Sequence, residues 1–172
     1  MIGPEKQWYI LYTHPRMEKK LAKILELRQI EYYLPLLRLK KKWSDRFKLV
    51  VSPVFPSYIF IKMIFSETKN KVITLPGAHH FLTINHEPQT VAEDDLNMVK
   101  LFIEKYPESV KTQKEAILVP GKKIEIKHGY FKGYKGTITK IKNKARLCVQ
   151  LPVGNVSVEV NIDDLGLEEL NV

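Results

Sequence analysis

The residues able to do covalent or metal chemistry are few in this 172-residue sequence, and each grouping has a plainer explanation. Paired carboxylates occur at Asp94-Asp95 and Asp163-Asp164. Metal-dependent phosphodiester hydrolysis needs several such groups converging on one site, yet these pairs belong to different regions, and Asp94-Asp95 follow Glu93 at a helix start, where acids favour the dipole. His79-His80 carries no metal-ligand motif, since neighbours on a strand point to opposite faces. Cys148 is the single cysteine. It can close no internal disulfide, and the alternation of Leu147, Val149 and Leu151 against Arg146, Cys148 and Gln150 puts it on the less buried face of a strand. Gly129, Gly133 and Gly136 precede a strand rather than a helix, so no phosphate-cradling loop is present. No enzyme, cofactor or metal is expected.

Binding chemistry is better represented. Net charge is +9, from 28 Lys plus Arg against 19 Asp plus Glu. It is patched: residues 16–48 hold eleven basic and four acidic side chains and 111–146 hold eleven and two, whereas 147–172 hold five acids and no Lys or Arg. Concentrated positive charge points to phosphate-bearing polymers, with solvated surface charge as the plain alternative. The stretch KKKWSDRFK interleaves Trp43 and Phe47 with Lys40, Lys41, Lys42, Arg46 and Lys48, so that Trp43 can stack on an unpaired base while cations draw in its backbone. A second stretch, VFPSYIFIKM, is apolar on both faces of a strand: Ile59, Ile61 and Met63 point one way, Tyr58, Phe60 and Lys62 the other. The second face requires either another layer of this protein or a partner, because each large ring left in water forgoes about 1.5–3 kcal/mol.

The elements that would carry these residues follow from periodicity. Residues 7–13 read as a strand, and His14-Pro15 opens a helix with Met17, Leu21, Ile24 and Leu25 on one face and Arg16, Lys19, Lys20 and Lys23 on the other. Strands at 32–39 and 46–52 form a hairpin, followed by the strand 58–63. Ser66 is the expected N-cap of a short helix to Leu75, stopped by Pro76-Gly77. A strand at 79–84 and a helix near 93–106 complete the first domain, residues 1–107. Residues 108–119 read as a linker, and short alternating strands separated by Gly, Asn and Pro make 120–172 a small all-β barrel. The fold class is α+β: an antiparallel sheet flanked by helices, then the barrel. No apolar run reaches the length of a membrane span and no secretory signal opens the chain, so a cytoplasmic location without membrane contact is expected.

Two signatures carry a resemblance. WYILYTHPR, the basic-faced helix and FPSYIFIKM resemble the N-terminal domain of the NusG family of transcription elongation factors, and IEIKHGYFKGYKGTITKI resembles the KOW motif that follows it there. The length and the FPSY segment look like the specialised RfaH and UpxY type antiterminators. The resemblance implies an apolar depression that docks the clamp helices of RNA polymerase's largest subunit, lined by Tyr12, Phe55, Pro56, Tyr58, Phe60, Phe81 and Leu96, a helix-in-groove contact with aromatic anchors; the alternative is that these rings are core. It implies contacts to upstream or non-template DNA through His14, Arg16, Lys19, Lys20 and Lys23, to which the hairpin adds Lys41, Lys42, Trp43 and Arg46. Thr68 and Lys69 fall where specialised members meet the polymerase gate loop. Tyr130, Phe131 and Lys132 would face the KOW partner, a small-subunit ribosomal protein or Rho, and a monomer is expected. The implied function is suppression of pausing or termination; the rival is a KOW-containing RNA-binding protein associated with the ribosome.

Overall fold

The computed structural model describes residues 5–113, 122–126, 131–133, 135–141 and 144–161, which divide into two compact units, Met1–Glu93 and Asp94–Val172. In the first, β1 (Gln7–Thr13) is followed by α1 (Glu18–Leu27), β2 (Tyr32–Tyr33), β3 (Leu36–Lys42), β4 (Phe47–Pro53), β5 (Tyr58–Met63), α2 (Phe65–Ile73), β6 (Ala78–Phe81), β7 (Thr83–Ile84), β8 (Glu87–Pro88) and β9 (Thr90–Val91). The main sheet is antiparallel in the order β2-β5-β1-β6, with β9 also on β1. Placing β1 centrally explains why Trp8 through Leu11 are all buried. One sheet face, carrying Tyr9, Leu11, Ile59, Ile61 and Met63, packs on Leu21, Ala22 and Leu25 of α1 and Phe65 and Val72 of α2.

Both helix starts differ from expectation. Arg16 adopts φ +64°, which takes it out of helical geometry, so α1 begins at Glu18 with Met17 as its cap residue. Arg16 therefore precedes the helix and does not share the exposed face of Lys19, Lys20 and Lys23. α2 begins after Ile64, with Ser66 inside its first turn; Thr74 instead donates its hydroxyl to the carbonyls of Asn70 and Lys71 at the other end. Gly77, at φ +96°, lets the chain pass so close to α1 that a Cβ there would lie 3.0 Å from the Met17 Cβ.

Two hairpins stand off this sheet. β3 and β4 form a two-stranded ribbon from Leu36↔Pro53 to Lys42↔Phe47. β7 and β8 are joined by Asn85 and His86, both with positive φ, the geometry of a tight two-residue hairpin turn.

The second unit holds α3 (Glu93–Lys105, whose first residue lies at the boundary), β10 (Lys111–Gln113), β11 (Lys122–Glu125), β12 (Lys135–Ile141), β13 (Lys144–Leu151) and β14 (Gly154–Asn161), its strands antiparallel in the order β10-β14-β13-β12-β11. Lys111–Gln113 falls within the expected linker yet pairs with β14 as an edge strand. Cys148 is buried at 1% exposure along with Leu147 and Val149, so both faces of β13 are covered there, and burial pushes the thiol up. No described helix is long and apolar enough to cross a membrane.

Candidate partner-binding and nucleic-acid surfaces

On the sheet face opposite the α1–α2 core, antiparallel register sets Tyr12 beside Tyr58 and, on its other side, beside His80. The Tyr12 and Tyr58 rings meet edge to face at 5.3 Å between centroids, and both remain half-exposed. Two residues along the same face Phe60 is fully buried, and Phe55, 5.8 Å from it, nearly so, with Tyr33 stacked on Phe60 at 6.3 Å and its hydroxyl pushed up by burial. Pro56 is exposed. Phe55 and Phe60 are thus covered, whereas Tyr12, Pro56 and Tyr58 present the accessible surface.

Phe81 does not belong there. It pairs with Leu11 rather than Tyr12, so its side chain falls on the opposite face and packs against Phe65 at 5.1 Å. Leu96 is fully buried and offers no accessible surface.

The turn ahead of β5 has a support that periodicity did not reveal. Ser57 adopts φ +65°, and its N–H donates to Glu18 Oε1 at 2.7 Å while its carbonyl accepts from the Thr13 N–H at 2.8 Å. Glu18 is buried, 6% exposed. It shares the helix stripe of Leu21, Ala22 and Leu25, at spacings of three, four and seven. A carboxylate on an otherwise apolar stripe is the signal by which it could have been found.

The two adjacent histidines do not point to opposite faces. Tyr12 pairs with His80 but Thr13 with Ala78, so His79 is the extra residue of a β-bulge, which re-aims its side chain. His79 Nδ1 and His80 Nδ1 approach to 2.7 Å, and both rings contact Tyr12. His14 joins at 4.9 Å from His79. Burial, and then the neighbouring His79, hold the His80 imidazole below its ordinary value.

The cationic surface has two parts. Lys20 and Lys23 are exposed along α1, whereas Lys19 ties that helix to the ribbon, Nζ donating to the Val51 carbonyl at 2.7 Å. Arg16 is exposed just before it. At the ribbon tip the Trp43 N–H donates to the Arg46 carbonyl at 2.8 Å, the indole is 57% exposed, and Lys48 Nζ lies 5.5 Å above it. Cross-strand pairing sets Lys41 beside Lys48, so one ribbon face gathers Trp43, Lys41 and Lys48.

Thr68 and Lys69 lie on α2. Lys69 Nζ sits 5.4 Å above the Phe65 ring. Thr68 borders a hollow of about 130 Å³ shared with Lys62 and Glu67, and a wider one of about 550 Å³ shared with Arg28, Lys71 and Thr74.

In the second unit Phe131 is fully buried, 5.6 Å from Tyr106 and 6.1 Å from Phe102. The Phe131 ring, expected to face a partner, is taken up by the end of α3 and the residue just beyond it, whereas Lys132 is exposed. Tyr130 lies outside the described residues. Among the described residues no group of three or more His, Cys, Asp or Glu is placed to hold a metal ion.

Residues 6–100 match the family model described as transcription termination factor nusG. Among solved structures, one titled "Domain interaction in Thermotoga maritima NusG", from Thermotoga maritima, is similar at 21% identity with a TM-score of 0.48, covering 93% of this chain and 96% of that one.

Proposed function

The chain belongs to the NusG family of transcription elongation and termination factors, and from that membership we propose that it docks on the clamp helices of RNA polymerase through the Tyr12–Tyr58 surface. Members of this family are transcription factors rather than enzymes and bind RNA polymerase. The observation that carries the docking surface is the half-exposed, mutually packed Tyr12 and Tyr58 rings on the same face as the buried Phe60. Such a pair gives a coiled-coil tip rigid aromatic anchors at little entropic cost. Once docked, Arg16, Lys20 and Lys23 contact phosphates of upstream or non-template DNA, and Trp43 stacks on an unpaired base between Lys41 and Lys48. Thr68 and Lys69 of α2 are the residues offered to the gate loop. Lys132, exposed, is offered to Rho or a small-subunit ribosomal protein. The factor acts by favouring the polymerase conformation to which it binds best over the paused one.

A pull-down with core RNA polymerase tests the docking surface. Tyr12→Ala and Tyr58→Ala remove half-exposed rings and leave Phe60 in place, so both variants keep the circular dichroism spectrum of the parent. Each loses about 2 kcal/mol of binding, roughly thirtyfold in affinity. Folded variants that bind as tightly as the parent would sink the assignment.

A further inference from the structure

The β3–β4 ribbon has a second face. Cross-strand pairing sets Lys42 beside Phe47, Lys40 beside Leu49 and Arg38 beside Val51, and alternation turns all six away from Trp43. Phe47 is 72% exposed and Leu49 59%. The ribbon is paired to no other strand among the described residues, so no sheet covers either side chain. Residues 38–48 hold six cations and one acid, Asp45.

We propose that this face, with Phe47 and Leu49 framed by Arg38, Lys40 and Lys42, is a second site for unpaired nucleic acid, so that the ribbon holds one strand on each side. It rests on the reading that the Trp43 face takes an unpaired strand. Three features favour a nucleic-acid strand over an acidic protein segment. The face is a single strand pair wide, whereas a helix needs a groove. Its ring is flanked by cations on the partner strand rather than capped by further apolar groups, which suits a base on the ring with phosphates alongside. Arg38, Lys40 and Lys42 recur every second residue, roughly 7 Å apart, comparable with successive phosphates of an extended single strand. Trp43 with Lys41 and Lys48 repeats this pattern on the other face. The separated strands of a melted duplex present two such ligands, and the ribbon backbone between them keeps their bases from pairing.

Indole fluorescence in the full chain tests this, Trp8 being a buried and constant background. Trp43→Phe combined with Phe47→Trp moves the exposed indole from one face to the other. A short oligothymidylate is expected to quench it, with an affinity within about tenfold of that reported by Trp43 in the parent. Phe47→Ala with Leu49→Ser, both surface changes, is expected to weaken binding to a fork with two unpaired arms by about tenfold, and binding to a lone strand by only about twofold, since the Trp43 face still serves it. An indole at position 47 that stays unquenched while Trp43 is quenched overturns the second site and leaves the Trp43 reading standing. Silence at both positions overturns both, and quenching at position 47 by an acidic peptide or by phosphatidylglycerol vesicles but not by DNA assigns the face to another occupant.

Discussion

At Ser57 the backbone enters the left-handed region, which costs an L-residue about 1–2 kcal/mol. The turn is held there by the buried Glu18 carboxylate, which accepts the Ser57 N–H, and by Thr13, which donates to the Ser57 carbonyl. A hydrogen bond to a charged group contributes about 1.5–3 kcal/mol, enough to offset the strained backbone and fix where Tyr58 emerges. Glu18→Ala is therefore expected to lower the urea unfolding free energy by about 2 kcal/mol and to weaken polymerase binding beyond that of a surface control such as Glu26→Ala. Glu18→Gln, which keeps an acceptor without the charge, recovers roughly half of the stability. Unchanged stability in Glu18→Ala would remove it as the support of the turn. The residue hid because an acid in the first helical turn already has a sufficient explanation in the helix dipole; its place on the stripe of Leu21, Ala22 and Leu25 is the contrary signal.

Local pattern located the elements well where each answers to its own sequence. The stripe of α1, the alternation of β5 and the hairpin tip at Trp43–Arg46 all follow from spacing within a single segment. Features set by a neighbouring strand were not legible in this way. Phe81 falls on the helix side because it pairs with Leu11, and the bulge at His79 exists only relative to Tyr12 and Thr13 of β1; neither registration is written in AHHF itself. The bulge has a measurable consequence. His80, in contact with His79 and Tyr12, binds its proton less readily folded than unfolded. As pH falls through the ordinary imidazole range near 6.5, the unfolded chain takes up the proton first, so this contribution to stability is full above that range and is lost as pH falls to the depressed folded value. Protonation also makes both Nδ1 atoms donors, which breaks their mutual hydrogen bond. The urea midpoint of the parent is expected to drop between pH 7.5 and 5.5 by more than that of His80→Phe. Parallel profiles for the two proteins would show that the pair is not coupled to folding.

Over the whole molecule, a net charge of +9 conceals two populations of cations. In the second unit Lys111 and Arg146 both engage Glu159, at 3.3 and 2.8 Å, and depress its carboxyl, so part of that positive charge is answered internally. In the first unit Lys20 and Lys23 of α1, Arg16 just before it, and Lys40, Lys41, Lys42, Arg46 and Lys48 of the ribbon face solvent. Composition showed that the charge is patched, but not which patch is answered, because the pairing of Arg146 with Glu159 depends on the β13–β14 register. The difference predicts how binding responds to salt. About six phosphate contacts from the first-unit cations would give a slope of roughly −4 in the logarithm of single-strand affinity against the logarithm of salt concentration. Lys41→Gln with Lys42→Gln should reduce that slope by about one to one and a half, since each contact contributes about 0.7. Lys111→Gln, altering a cation already paired with Glu159, should leave it unchanged. Titrations of the full chain at several salt concentrations separate the cases: equal slope changes for the ribbon pair and for Lys111 would mean that strands are held by diffuse charge rather than by this ribbon.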